Sequence, residues 1–277
     1  MTDKAKPPGT SVNQPVPFEP RRFKGTVPYY GPYRLGYPER LIRRLVALLG
    51  LKPGDAVLDL GSGPGSLAVP FARAGMEVTA ADPEPDMLAQ ARQAAEAASV
   101  TLTLWRGGSY DLTEIMGPYR LAVIGRAFHW MDRPATLAML DRIVTRHGAI
   151  ALFHDHHPTL AENAWFKILC KVGDRYGRAS PGHDAERKKL GHRRYEPFLY
   201  QSVFTQIESL SVTVNKPITE DEIVGRAFSQ STTSPERLDT RVGLFERDLR
   251  QALRILSPTG RFTEIAEMVA VVARRAE

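Results

Sequence analysis

The 277 residues include a single cysteine, Cys170, so no disulfide can form within the chain, which suits a reducing compartment. With Trp165, Phe166, Ile168 and Leu169 as neighbours, Cys170 reads as a buried core thiol and not as a nucleophile. Long apolar runs are equally scarce. No stretch approaches the ~20 residues that a bilayer requires, which excludes a spanning helix. Met1 to Pro20 has no apolar centre of the kind a secretory leader needs and is rich in Pro, Lys and Thr. Residues 1–25 are therefore predicted to be a disordered tail, and the protein is predicted to be cytoplasmic.

Acidic residues fall short of basic ones, 31 against 37, and the net charge of +6 raises the question of nucleic acid. The basic residues are scattered, however. The only dense run, Arg187, Lys188, Lys189, His192, Arg193 and Arg194, reads as a solvated loop. Nucleic-acid chemistry also lacks its motifs. No Asn/Asp-Pro-Pro-Tyr run exists to hold an extruded base, no Pro-Cys pair to attack a pyrimidine, and no aromatic-basic interleaving. Nucleic acid is accordingly disfavoured as a partner. Nothing in the sequence states the oligomeric form.

What is present is an alternation of short apolar strands and amphipathic helices. Tyr37 to Gly50 reads as a helix with Leu41, Ile42, Leu45, Val46 and Leu49 on one face. Strands are expected at Ala56–Leu60, Met76–Asp82, Thr101–Trp105, Leu121–Gly125 and Ala149–Phe153, with helices over Leu67–Ala74, Pro85–Ala98 and Pro134–Thr145. Continuous apolar strands separated by helices predict a parallel sheet covered on both faces. The rhythm changes after residue 158. A helix is expected over Ala161–Tyr176, an irregular polar stretch over Gly177–Tyr195 and a strand over Ile207–Ile218. A capping box, Thr219 with Glu222, opens a helix to Phe228, one long helix runs from Ser234-Pro235 to Leu256, and a last strand spans Ala266–Arg274. The organisation predicted is a tail, a domain over 26–277 with its core at 37–158, and a helical cover with the last two strands over 159–277.

The densest signal is Asp59-Leu60-Gly61-Ser62-Gly63-Pro64-Gly65-Ser66 at the end of the first strand. Glycines there let the backbone approach a ligand and turn sharply into a helix. A dinucleotide site wants its third glycine one residue later, where Ser66 stands, so a pyrophosphate is poorly served. Asp82 closes the second strand, where a carboxylate can accept both hydroxyls of a ribose.

These motifs, with Met87-Leu88 and Ala91-Arg92 after Asp82, resemble the class I S-adenosylmethionine-dependent methyltransferases. The stretch Ala127 to Asp132 is similar to the small-molecule branch that includes the trans-aconitate type, and Tyr30, Tyr33-Arg34 and Tyr37-Pro38 look like that branch's N-terminal lid. The resemblance covers residues 30–155. It implies a Rossmann-like, doubly wound α/β sheet of seven strands, the last inserted antiparallel beside the fifth, with helical cover over an acceptor pocket. It also implies S-adenosyl-L-methionine as cofactor. Gly61, Ser62 and Gly63 would lie under its methionine part and Asp59 would hold its ammonium, directly or through water. Asp82 would take the ribose, Pro83 and Met87 would flank the adenine, and Ser109 and Tyr110 would border its amino group. Arg126 would offer its backbone carbonyl to the ammonium, and Tyr30 and Arg34 would close over the carboxylate.

For chemistry, His129 follows the fourth strand at the carboxyl edge of the sheet, where open α/β folds bind ligands, and is the candidate base; the plainer alternative is a histidine that packs its loop. Trp130 beside it reads as core. His154-Asp155-His156-His157 ends the fifth strand at the same edge. Adjacent residues rarely converge on one ion, so the run reads as a polar pocket wall and no metal is expected. The function expected is methyl transfer to oxygen, nitrogen or a carboxylate of a small organic molecule. The alternatives are a nicotinamide-dependent oxidoreductase or a non-catalytic S-adenosylmethionine-binding protein.

Overall fold

The computed structural model describes residues 24–177 and 195–276. The tail to residue 23 and the basic run at 187–194 lie outside these residues. Lys24–Thr26 is a 3-10 turn with Thr26 fully buried.

Seven strands form one sheet: β1 Ala56–Leu60, β2 Glu77–Asp82, β3 Thr103–Arg106, β4 Tyr119–Gly125, β5 Val144–His156, β6 Gln206–Thr219 and β7 Arg261–Arg274. Their order is β3-β2-β1-β4-β5-β7-β6. β1 to β5 are parallel, and β7 inserts antiparallel between β5 and the edge strand β6. The chain therefore has the α/β, seven-stranded, Rossmann-like fold that the resemblance implies.

The period of two along each strand divides the core. Val57, Leu121 and Val123 face one cluster with Leu41, Leu45 and Phe71. Leu58, Ala122 and Ile124 face another with Leu137, Leu140 and Phe204. On the first face lie α2 (Glu39–Leu49), which ends at the left-handed Gly50, and α3 (Ala68–Arg73). α4 (Pro85–Ala97) begins with proline in its first turn, and α5 (Arg133–Ile143) packs on the second face, capped by Asp132 accepting from the Ala135 N–H at 3.1 Å.

A third cluster unites helices later in the chain: α6 (Ala164–Gly177), α8 (Glu220–Phe228) and α10 (Val242–Leu256), with Trp165, Ile223, Phe245 and Leu249 fully buried. Two short helices complete the set, α7 (Glu196–Tyr200) and α9 (Pro235–Leu238). The capping box of α8 is present at Thr219 and Glu222. The single long helix expected from Ser234 to Leu256 is broken after α9. Asp239 takes a left-handed φ of 51°, a short turn follows, and α10 starts at Val242. Leu238, at the end of α9, is fully buried in the third cluster. The N-terminal segment α1 (Val27–Tyr33) lies against α8. Among the described residues, no helix is long and apolar enough to cross a membrane.

Candidate functional site

A cavity of about 730 Å³ opens at the carboxyl ends of the parallel strands and reaches the helical layer. It collects most of the residues that the sequence singles out: Tyr30, Arg34, Gly61, Gly63, Asp82, Pro83, Met87, Ser109, Tyr110, Arg126 and His129 all line it. Asp59 and Ser62 do not, because both are buried behind the glycine turn.

The turn is shaped by backbone geometry. Gly61 has φ 73°, and a Cβ there would fall 2.6 Å from the Ala127 Cβ. Gly63 has φ 53° with nothing in front of it within 4 Å, so its backbone faces open space. Asp82 steadies the turn from β2. One of its oxygens accepts from the Gly63 N–H at 2.8 Å and the other from the Glu84 N–H at 2.9 Å. Burial pushes its carboxyl up to about 6 despite these two bonds, and the nearby Glu84 adds to the rise. Asp59 accepts from the Ala68 N–H at 2.8 Å, and its other oxygen has no hydrogen-bond partner among the described residues. Burial pushes it further, to about 8, against the pull of that one backbone bond.

Arg126 follows β4 with a left-handed φ of 55°, a conformation that non-glycine residues adopt only when the surroundings enforce it. The enforcing contacts belong to its side chain. Nε donates to Asp155 at 2.5 Å, Nη2 donates to the Leu35 carbonyl at 2.7 Å, and the guanidinium lies 4.8 Å from the Tyr37 ring centroid. Burial alone would raise the Asp155 carboxyl. The charge of Arg126 and its hydrogen bond outweigh that and bring it well below the ordinary carboxylate range. The reading of Arg126 as a backbone carbonyl thus omits a strut between β5 and the N-terminal segment.

β5 continues through His156, three residues past the expected end, so its last side chains alternate. His154 meets the Tyr195 ring at 5.7 Å, on the side of the second core cluster. Asp155 turns to Arg126 on the other face. His157 stacks on Phe166 at 4.1 Å, and its Nε2 donates to Glu264 at 2.9 Å. Pleating thus gives His154, Asp155 and His157 different hydrogen-bond or ring partners, although His157 Nδ1 also lies 3.7 Å from Asp155, and among the described residues no three His, Cys, Asp or Glu side chains are placed to hold a metal. Glu264 is fully buried and also takes the Arg226 guanidinium on both oxygens. Arg226 in turn donates Nε to the Tyr33 carbonyl at 3.1 Å.

His129 sits on a short 3-10 turn, Phe128–Trp130, with its ring 4.7 Å from that of Trp130. The core aromatic of this stretch is Phe128, at 1% exposure, whereas Trp130 lines the cavity. Cys170 is likewise exposed and faces the cavity, because the buried stripe of α6 runs through Trp165, Leu169 and Val172 and leaves position 170 to one side. Among the cavity residues that the sequence did not single out as site residues are Glu84, Tyr195, Phe166 and Arg226, with Gln230, Ser231 and Thr232 beside them. Only Glu84 had a local signal, two residues past Asp82.

Residues 57–148 match a family model described as a methyltransferase domain. An uncharacterised protein of Mycobacterium bovis is 44% identical over 62 residues, 22% of this chain and 22% of that protein, so the chain matches less than a quarter of that relative's length. A 23S rRNA (uracil(1939)-C(5))-methyltransferase of Shewanella sediminis is 39% identical over 55 residues, 20% of this chain and 12% of the enzyme. The structure of a proposed type II methyltransferase from Anaeromyxobacter dehalogenans superposes with a TM-score of 0.61 at 18% identity, over 88% of this chain and 98% of that one. A SAM-dependent methyltransferase from Thiobacillus denitrificans, solved with S-adenosyl-L-homocysteine, gives 0.50 at 18% identity, over 93% and 99%. The match thus places a methyltransferase domain at residues 57–148, and the sheet has the strand order that the resemblance to class I enzymes implies.

Proposed function

We propose that the protein transfers a methyl group from S-adenosylmethionine to oxygen, nitrogen or a carboxylate of a small organic molecule. The observation that carries this reading is a single cavity of about 730 Å³ that joins the glycine turn and Asp82 to His129 and the helical layer. That volume is ordinary for a drug-sized ligand site and suits a nucleoside with a small acceptor beside it.

The residues fit the cofactor. Gly63 leaves open backbone where the methionine part would lie, and Asp82, at the end of β2, is the acceptor for the ribose hydroxyls. Pro83 and Met87 flank the adenine, and Ser109 and Tyr110 border it. The Arg126 carbonyl and the buried Asp59 draw the ammonium, Asp59 from behind the turn with Ser62. Tyr30 and Arg34 take the carboxylate. When bound, S-adenosylmethionine supplies an activated methyl group on a sulfonium sulfur. The chain's own task is alignment, holding the acceptor atom in line with the carbon–sulfur bond. His129 removes the proton from an acceptor hydroxyl or amine, whereas a carboxylate needs no base.

Calorimetry with S-adenosylhomocysteine and NAD tests the cofactor. We expect micromolar binding of the first and none of the second; tight NAD binding with no response to the sulfur nucleoside would reverse the assignment. Binding without transfer to any member of a metabolite mixture would favour a non-catalytic binding protein. The likeness to a ribosomal RNA methyltransferase and the net charge of +6 favour a second reading, an RNA acceptor. Radiolabelled S-adenosylmethionine offered with total RNA and with a small-metabolite extract separates the two. Label in the RNA fraction alone would overturn the small-molecule reading.

A further inference from the structure

Three arginines from distant parts of the chain line the cavity beside the N-terminal segment: Arg34, Arg126 and Arg226. Two of them are neutralised by buried carboxylates, Arg126 by Asp155 and Arg226 by Glu264. Each of these two also donates to a backbone carbonyl of the lid, Arg126 to Leu35 and Arg226 to Tyr33. The two carbonyls belong to the residues on either side of Arg34.

Arg34 is the exception among the three. It donates Nη2 to the Ser229 carbonyl at 3.2 Å, and its buried Nε has no hydrogen-bond partner among the described residues. No carboxylate pairs with it among those residues. Burial disfavours its charge, and Arg126 and Arg226 oppose it further, with Tyr30 and Asp155 acting the other way. A guanidinium in such a place is stable only where the backbone is firmly held and an anion meets it. The holding is substantial. Glu264 is gripped from a second side by His157 at 2.9 Å, and a Cβ at Gly225 would overlap the Tyr33 ring, so α8 and the lid are in close contact.

We propose that Arg226 and Glu264 are positioning residues which, with Arg126 and Asp155, clamp the lid backbone on both sides of Arg34 so that its guanidinium meets the carboxylate at the methionine end of the cofactor. The inference rests on the reading that this cavity takes S-adenosylmethionine. It assigns work to the helical layer: α8 and β7 set cofactor affinity although neither belongs to the glycine-turn half of the fold.

The test compares two ligands by calorimetry. S-adenosylhomocysteine carries the amino-acid end, whereas 5′-methylthioadenosine keeps the nucleoside and thioether and lacks it. Arg34→Ala is expected to weaken S-adenosylhomocysteine by about 10- to 100-fold, the value of a charge-assisted hydrogen-bonded contact, and to change 5′-methylthioadenosine by less than about twofold. The neutral pair Arg226→Gln with Glu264→Gln is expected to weaken S-adenosylhomocysteine by about tenfold, with the same indifference to 5′-methylthioadenosine. Added to Arg34→Ala, the pair should cost less than about a further twofold, because both act through one guanidinium. If the buried pair does not fold, Arg226→Lys keeps a cation beside Glu264, loses the bond to Tyr33 and should give the same selective loss. Equal weakening of both ligands, or a full additional loss on top of Arg34→Ala, would overturn the proposal by showing a merely structural role. Failure of the wild type to bind either ligand would instead refute the cofactor reading.

Discussion

The carboxylates in and behind the two charged sides of the cavity meet desolvation in opposite ways. Asp59 and Asp82 are held by backbone N–H groups, and among the described residues no lysine or arginine pairs with either. Their carboxyls rise to about 8 and about 6. Glu264 is fully buried and Asp155 partly so, yet each has a guanidinium, and each falls well below the ordinary range. Backbone dipoles alone leave a buried carboxylate in want of a cation, which a ligand carrying an ammonium group provides. A carboxylate already paired with arginine becomes a strut. On the proposed reading, one side receives a ligand while the other holds the chain in place.

The sharpest way to break this contrast is to remove one carboxylate from each wall. Asp155→Ala strands Arg126 in the interior and is expected to destabilise the fold by ~3–5 kcal/mol, read from urea unfolding. A loss below ~1 kcal/mol would show that the pair is a surface ornament. Asp82→Ala orphans no cation, so the fold should survive while affinity for S-adenosylhomocysteine drops by ~2–4 kcal/mol. An unchanged dissociation constant would reduce Asp82 to a brace for the Gly63 turn.

His129 belongs to neither wall, and its variant sharpens the comparison by isolating chemistry. His129→Gln should keep cofactor affinity and melting temperature and lower turnover by ~10²-fold or more, with the wild-type rate falling in acid as the imidazole takes up a proton. Wild-type turnover in the variant, with a flat pH profile, would leave alignment as the main source of catalysis.

The comparison also has a pH signature. With folded values near 8 and 6 against 3.8 for an ordinary carboxyl, Asp59 and Asp82 keep protons that the unfolded chain has released. Their contribution to stability is complete below 3.8 and is lost as pH rises, through about 6 for Asp82 and about 8 for Asp59. The slope for each titrating group is at most about 1.4 kcal/mol per pH unit. Asp155 and Glu264 act with the opposite sign, giving stability at neutral pH that is lost in acid. In the free protein, Asp59→Asn should flatten the decline between about pH 6 and 8. An identical slope in the variant would mean that Asp59 does not titrate there.

The acidic wall was legible in the sequence because it is local. Asp59, the glycines and Asp82 lie within 24 residues, on a strand, a turn and the next strand, and their spacing alone brings them together. The arginine wall combines positions 34, 126, 155, 226 and 264. No periodicity links them, and only the assembled fold makes them neighbours. The His154–His157 run shows the same limit: its residues were noticed, but their partners depend on a strand end that apolar patterning does not mark. Trp130 and Cys170 were placed in the core because apolar neighbours in sequence are not neighbours in space on a helix or a 3-10 turn.

The helices α8 to α10 leave and re-enter the sheet at adjacent points. Thr219 at the end of β6 stands in register with Arg261 at the start of β7, and the Glu220 N–H donates to the Gly260 carbonyl at 2.9 Å. The intervening segment is thus an insertion between two strands whose ends already touch. Loop-closure entropy depends only weakly on length, so an insert of another length could span the same pair of ends, provided it kept a cation against the buried Glu264 and an apolar face against α6. The sheet and its glycine turn would not need to shift register. By this geometry, new specificities in such a protein would arise through exchange of a cassette.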